Sequence, residues 1–211
     1  FDISGADISI NSPLNNSFVN TSRISYTLSE ALKSGTITFK RGQDNSHSVV
    51  LTENELEKGT HPPQILKNLP KFDLSGLYTI TFVGIDLIGN TTTTVVSDVT
   101  YDVHLPAIPN FTSENITKDA LPTISGEADI SSTITLNVPD ATYETIAGAD
   151  GKWSINTTTV PKSGILHLNL NGTSTISVFA TDSAGNVSDS SHQILTIDTT
   201  NPVFSNITPL S

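Results

Sequence analysis

The sequence has no cysteine and no methionine, and tryptophan occurs once. Small secreted domains of animals commonly lean on disulfides, whereas cores of about 100 residues hold without them. The lack of cysteine therefore argues against an animal ectodomain and leaves a bacterial surface protein open. Charged residues are scarce at 15%, and aromatics scarcer at 6%. Sugar-binding surfaces favour clustered aromatic rings, so the second figure weighs against glycan recognition. Positive charge is limited: 10 Lys and Arg stand against 21 Asp and Glu, a net charge of −11. That field repels a phosphate backbone and attracts divalent cations, so nucleic acid is not an expected partner. No signal peptide or transmembrane run is present, and direct membrane insertion is not expected. Residue 1 is Phe, so the sequence reads as a piece of something longer, and its location must be argued from other features.

What is present is a repeat. "GIDLIGN" at 84–90 returns as "ATDSAGN" at 180–186, and "VTYD" ending at Asp102 returns as "LTID" ending at Asp198. Both pairs are shifted by 96 residues. "FD" at 1–2 returns as "ID" at 197–198, and "SPL" at 12–14 as "TPL" at 208–210, both shifted by 196. A fixed period is the mark of an array. The chain divides on this reading into 1–103, 104–199 and an opening of a third unit at 200–211. The boundary falls near "DVHLPAIPN" at 102–110, where two prolines stiffen the linker.

Within each unit the pattern has period two. "YTITFVGID" (78–86) sets Tyr78, Ile80 and Phe82 against Thr79, Thr81 and Val83, and "STISVFATD" (174–182) does the same. "SRISYTL" (22–28), "GTITFKR" (35–41), "STITLNV" (132–138) and "KWSIN" (152–156) are further short runs separated by Gly, Pro, Asn and Asp. These predict strands. Only "TENELEKG" (52–59) has helical character, for a turn or two. Several short strands per 100 residues predict an all-β protein of two tandem antiparallel sandwiches.

The second unit carries "PTISG" (122–126), "DGKW" (150–153), "ATDSAGN" (180–186) and "DTTNP" (198–202) in that order. This succession resembles the bacterial immunoglobulin-like repeats of very large cell-surface adhesins. The first unit resembles a sister type through "NNSFVNTSRISYTLSEALKSGTITF" (15–39) and "GIDLIGN"; it lacks the Trp motif and has Leu87-Ile88 where the second has Ser183-Ala184. The resemblance implies immunoglobulin-like sandwiches in a tandem stalk outside a bacterial cell. It also implies frequent stiffening by calcium, neighbouring repeats of the same chain as partners, and host or surface receptors reached through distal domains.

The repeated aspartate has two readings. In D-x-x-G-N, Gly89 and Gly185 accept a positive φ, Asn90 and Asn186 tolerate it, and Asp86 and Asp182 can accept N–H bonds across a hairpin turn. A turn alone accounts for the motif. The second reading follows from reach: a last strand from Asn90 to Asp102 spans about 12 residues, roughly 40 Å, and sets Asp86 and Asp102 at opposite ends of one sandwich. In a head-to-tail array Asp102 then approaches Asp182, and Asp2 approaches Asp86. Calcium takes six to eight oxygens, so Asp2, Asp86, Asp102, Asp182 and Asp198 are candidate ligands at domain junctions. No EF-hand loop occurs.

The remaining chemistry is sparse. Trp153 lies one step into a strand beside Ile155 and is expected in the core rather than stacked on a sugar. The histidines, 47, 61, 104, 167 and 192, show no metal-pair spacing, and hydrolase, phosphate-loop and dinucleotide motifs are absent. The carboxylates of "SEAL" (29–32) and "ENELE" (53–57) read as solvated surface, and no catalytic activity is expected. The N-x-S/T sequons are numerous, but Asn90 and Asn186 have a turn to make and a chain rich in Asn, Ser and Thr produces others by chance. The expectation is a stalk segment of an adhesin. The alternatives are a ligand-binding immunoglobulin-like module for glycan or protein, and accessory domains of a secreted polysaccharide hydrolase.

Overall fold

The computed structural model describes residues 4–42, 45–67, 69 and 75–203. By its contacts the chain forms two compact units, Phe1–His104 with Ser183–Asn186, and Leu105–Asp182 with Val187–Ser211. No helix among the described residues is long and apolar enough to cross a membrane.

The first unit runs β1 (Ile8–Ser12), β2 (Phe18–Val19), β3 (Ile24–Leu28), β4 (Leu32–Arg41), β5 (Asn45–Val50), β6 (Gly59–Gln64), β7 (Gly76–Asp86) and β8 (Thr91–Tyr101). A 3-10 turn at Glu53–Leu56 realises the helical stretch, with Thr52 and Glu55 forming a capping box. One sheet has the order β1-β3-β6 and the other β2-β8-β7-β4-β5. Tyr78, Ile80 and Phe82 of β7 point inward, 6%, 2% and 0% exposed, as the alternation requires. They meet Ile24, Tyr26 and Leu28 from the facing sheet, with Ile37 and Phe39 from β4, in one core. Tyr26 is the centre of this core. Its ring stacks on His61 at 4.4 Å and meets Phe82 edge-on at 5.1 Å, and its hydroxyl donates to Glu55 O at 2.7 Å. Burial, and then the Glu55 charge, push its phenol far above the ordinary range.

The second unit runs β9 (Asn110–Phe111), β10 (Ile116–Thr117), β11 (Thr123–Glu127), β12 (Thr133–Val138), β13 (Ala141–Ile146), β14 (Lys152–Asn156), β15 (Ser163–Gly164), β16 (Gly172–Thr181) and β17 (Ser191–Ile197). Its sheets have the orders β14-β11-β9 and β10-β17-β16-β12-β13-β15. Trp153 is 2% exposed, as expected of a core residue, and crosses Phe111 edge-on at 5.9 Å. Gly126 pairs with Trp153 across the strands, and a Cβ there would meet Asn110 O at 1.9 Å and the indole at 2.5 Å. The "PTISG" and "DGKW" stretches are thus two halves of one contact: the glycine is the floor on which the indole lies.

Two features depart from a purely antiparallel sandwich. In each unit the opening strand splits, with β1 and β9 pairing in the three-stranded sheet while β2 and β10 cross to the other and lie parallel to the last strand. Pro13 and the turn residues after it interrupt the ladder of the first unit, so the chain continues on the opposite sheet. The last strands also differ. β8 fills its expected length, whereas β17 begins at Ser191, because the Ser188 hydroxyl takes the Ala180 N–H and Ser188 Oγ then donates to Asp189 O.

Candidate functional site

The D-x-x-G-N turn of the first unit is closed by its own side chains. Asp86 Oδ1 accepts the N–H groups of Ile88, Gly89 and Asn90 at 3.0, 2.7 and 2.8 Å, and Oδ2 accepts Asn90 Nδ2 at 2.8 Å. Gly89 takes φ +105°, which a side chain would resist. The second hydrogen of the Asn90 amide goes to Ser4 O at 3.0 Å, tying the turn to the segment that leads into the unit. Asp86 is 1% exposed. Burial pushes its carboxyl up, but the hydrogen bonds from Asn90, Gly89 and Ile88 outweigh that and hold it below the ordinary carboxylate value. A carboxylate ringed by N–H donors has little capacity left for a cation.

The strand-end aspartates are differently placed. Asp102 is half-buried, and its Oδ1 accepts His104 N–H at 2.9 Å and Ser75 Oγ at 3.3 Å, with His104 Nδ1 at 3.1 Å. The His104 N–H lowers the carboxyl most; burial opposes it, and the His104 ring and Ser75 hydroxyl add enough to leave the carboxyl below its ordinary value. Asp198 is exposed, and its Oδ1 accepts the N–H and hydroxyl of Thr200 at 2.9 and 2.5 Å. The Thr200 hydroxyl and then its N–H lower that carboxyl as well. Asp182 is half-buried in the second unit. Asp2 lies outside the described residues. Among the described residues no group of three or more His, Asp or Glu side chains converges as a metal cage.

Ser75, His104 and Asp102 bring together the residue types of a hydrolytic triad. Sequence reasoning passed over this convergence, since Asp102 and His104 are near neighbours but Ser75 stands 27 positions before Asp102 and no spacing links it to them. The geometry is not that of a relay: His104 Nδ1 faces both Ser75 Oγ, at 3.0 Å, and Asp102 Oδ1. A relay needs one ring nitrogen for each partner. The imidazole is also 79% exposed and open to water. His167 and Asp140 form a second exposed pair at 3.1 Å. The second unit has an open groove of about 400 Å³ between β13 and β14, lined by Tyr143, Glu144, Ser154, Ile155, Val160 and Lys162. Lys162 and Glu144 pair across it. The first unit has an apolar cavity of about 20 Å³ among Pro13, Val19, Phe39, Tyr78, Val99 and Tyr101, room for roughly one water.

Comparison with known proteins finds a family model over part of the chain. Residues 110–199 match the family model of the Bacterial Ig-like domain. The matched stretch holds the Gly126–Trp153 contact, Asp182 and the strand end at Asp198. The fold of the whole chain is similar to that of the fibronectin(III)-like modules of Clostridium thermocellum CbhA, at 14% identity and a TM-score of 0.57, covering 95% of this chain and 99% of that one. A tetra-tandem repeat from the extending region of a large adhesion protein is matched at 20% identity and a TM-score of 0.35, over 94% of this chain and 51% of that one. A 1.5-MDa bacterial ice-binding adhesin is matched at 17% identity and a TM-score of 0.32, over 93% and 66%. No curated protein matches the chain. The architecture is two tandem immunoglobulin-like β-sandwiches, and the first unit repeats the strand order of the Ig-like domain in the second apart from β15.

Proposed function

We propose that the chain is a stalk segment of a bacterial cell-surface adhesin, extracellular and without catalytic activity, which holds a binding domain away from the cell. The observation that carries this reading is the repetition itself. Two units with different cores share their strand order, the split opening strand and the hydrogen bonding of the strand end, which is what an array of spacers needs. The adhesin resemblance of the sequence motifs adds to it. Receptors are then met by distal domains, and the partners of this segment are its neighbouring repeats.

Calcium at the junctions is the finer part of the proposal. Asp86 fits it poorly, because its oxygens are taken by four donors. Asp102, Asp182 and Asp198 fit better, being half-buried or exposed carboxylates that could contribute oxygens. The candidate ligands of this proposal are Asp102 and Asp182, with main-chain carbonyls to fill the shell of oxygens that calcium takes. Calorimetric titration of the full chain with calcium tests this. Binding that disappears in the Asp102→Ala/Asp182→Ala double variant supports it, and no heat at millimolar calcium removes calcium while leaving the stalk reading in place. A ligand-binding module is the second reading, favoured by the groove between β13 and β14. Its one lining aromatic, Tyr143, is 3% exposed and offers no stacking platform.

A further inference from the structure

We infer that Ser75 and Asn171 are positioning residues that fix the direction in which the chain leaves each sandwich. The inference rests on the stalk reading for its purpose and on hydrogen bonds alone for its geometry. Both residues stand one position before a strand-opening glycine, and the two positions are 96 apart, the period of the repeat. Gly76 pairs with Tyr101 and Gly172 with Ile197, so each residue faces the point where its last strand ends.

The backbone N–H groups around that point are accounted for one by one. In the first unit, Asp102 N–H still belongs to the sheet and donates to Val19 O at 2.9 Å. Val103 N–H, the next, has lost the ladder and donates to Ser75 Oγ at 3.2 Å. His104 N–H donates back to Asp102 Oδ1. In the second unit, Asp198 N–H donates to Thr117 O at 2.9 Å, Thr199 N–H to Asn171 Oδ1 at 2.7 Å, and Thr200 N–H to Asp198 Oδ1 at 2.9 Å. The sequence is the same each time: a main-chain acceptor, a side chain from the neighbouring strand opening, then the aspartate itself.

Different chemistry does the same work at the two exits. Ser75 offers one hydroxyl, which accepts from Val103 and has Asp102 Oδ1 and His104 Nδ1 within reach of its own hydrogen. Asn171 offers a carboxamide oxygen that takes both the N–H and, at 2.8 Å, the hydroxyl of Thr199, and it adopts φ +56° to do so. Val103, His104, Thr199 and Thr200 are all exposed, so burial contributes little to holding this segment. Side-chain acceptors are what keep its peptide planes in one orientation. A spacer whose last residues leave in a fixed direction passes that direction to whatever follows.

Amide hydrogen exchange on the full chain, read residue by residue by NMR, tests this. Ser75→Ala should speed exchange at Val103 by roughly three- to tenfold, and Asn171→Ala should do so at Thr199, with each effect confined to its own exit. Ser75→Thr, which keeps the hydroxyl, should restore protection at Val103. Unchanged exchange at these amides in the alanine variants overturns the inference. So does faster exchange spread evenly over the strands of the unit, since that reports lost overall stability rather than a lost clasp. Either result is independent of whether the whole chain scatters as an extended rod.

Discussion

The two sandwiches reach one architecture around unlike centres. The first is built on Tyr26, held by His61, Phe82 and the carbonyl of Glu55, with Gly76–Asp86 supplying the alternating inner face. The second is built on Trp153, which lies on Gly126 against Phe111, while Tyr143 donates to Thr157 O at 3.1 Å. Neither large aromatic has a counterpart at the same place in the other unit. What is common lies at the edges: the period-two strands, the turn aspartate, the split opening strand and the exit hydrogen bonds. Core shape is free to drift so long as volume is filled, whereas a direction of entry and exit tolerates little drift in a repeat.

The largest way to break this comparison is to remove one centre and leave the other. Trp153→Ala should destabilise the second unit by about 3–5 kcal/mol and leave the first unchanged. Differential scanning calorimetry should then show two separated transitions where the wild type shows closer ones. Trp153→Phe should cost far less, because the buried Nε1 has no hydrogen-bond partner to lose among the described residues. A single transition moving as a whole would show that the units melt as one.

Tyr26→Phe and Tyr143→Phe test the polar handles of the two cores. Each removes a hydroxyl that donates to a main-chain carbonyl, Glu55 O or Thr157 O. Each should cost about 1 kcal/mol, roughly 4–8 °C in the melting temperature of the affected unit. The first should cost no less than the second, since its bond is the shorter. A larger loss for Tyr143→Phe would reverse the ranking.

Acid should separate the units more gently. Asp86, Asp102 and Asp198 have carboxyls lowered by the bonds they accept. Their contribution is fully present above the unfolded carboxylate value, near pH 4, and is lost as pH falls through the lower folded values. Two of the three belong to the first unit, so its transition should fall faster below about pH 4. Asp86→Asn should flatten that dependence, and an unaltered acid profile in the variant would remove Asp86 from the account.

Much of this was legible in the residues. The strands of 78–86 and 152–156, the burial of Trp153 and the turn role of Asp86 all follow from local spacing, where each residue is judged against its near neighbours. The parallel edge strands were not legible, because Phe18 and Ile116 choose partners some 80 positions away and two residues carry no period. Ser75 and Asn171 also went unread: one is a hydroxyl and the other a carboxamide, so identity hides what position shares. The 96-residue shift that aligns the aspartates aligns these two as well, and would have found them had it been applied to every polar residue before a glycine.

Small-angle scattering of the full chain bears most directly on the claim that these sandwiches are spacers in a rod. The account predicts a pair-distance distribution with two lobes and a maximum dimension about twice that of one sandwich, unchanged over a range of protein concentrations. Calcium would lengthen or sharpen the second lobe if the junction holds the ion. A single compact lobe, with a maximum dimension close to that of one globule of the same mass, would contradict the stalk.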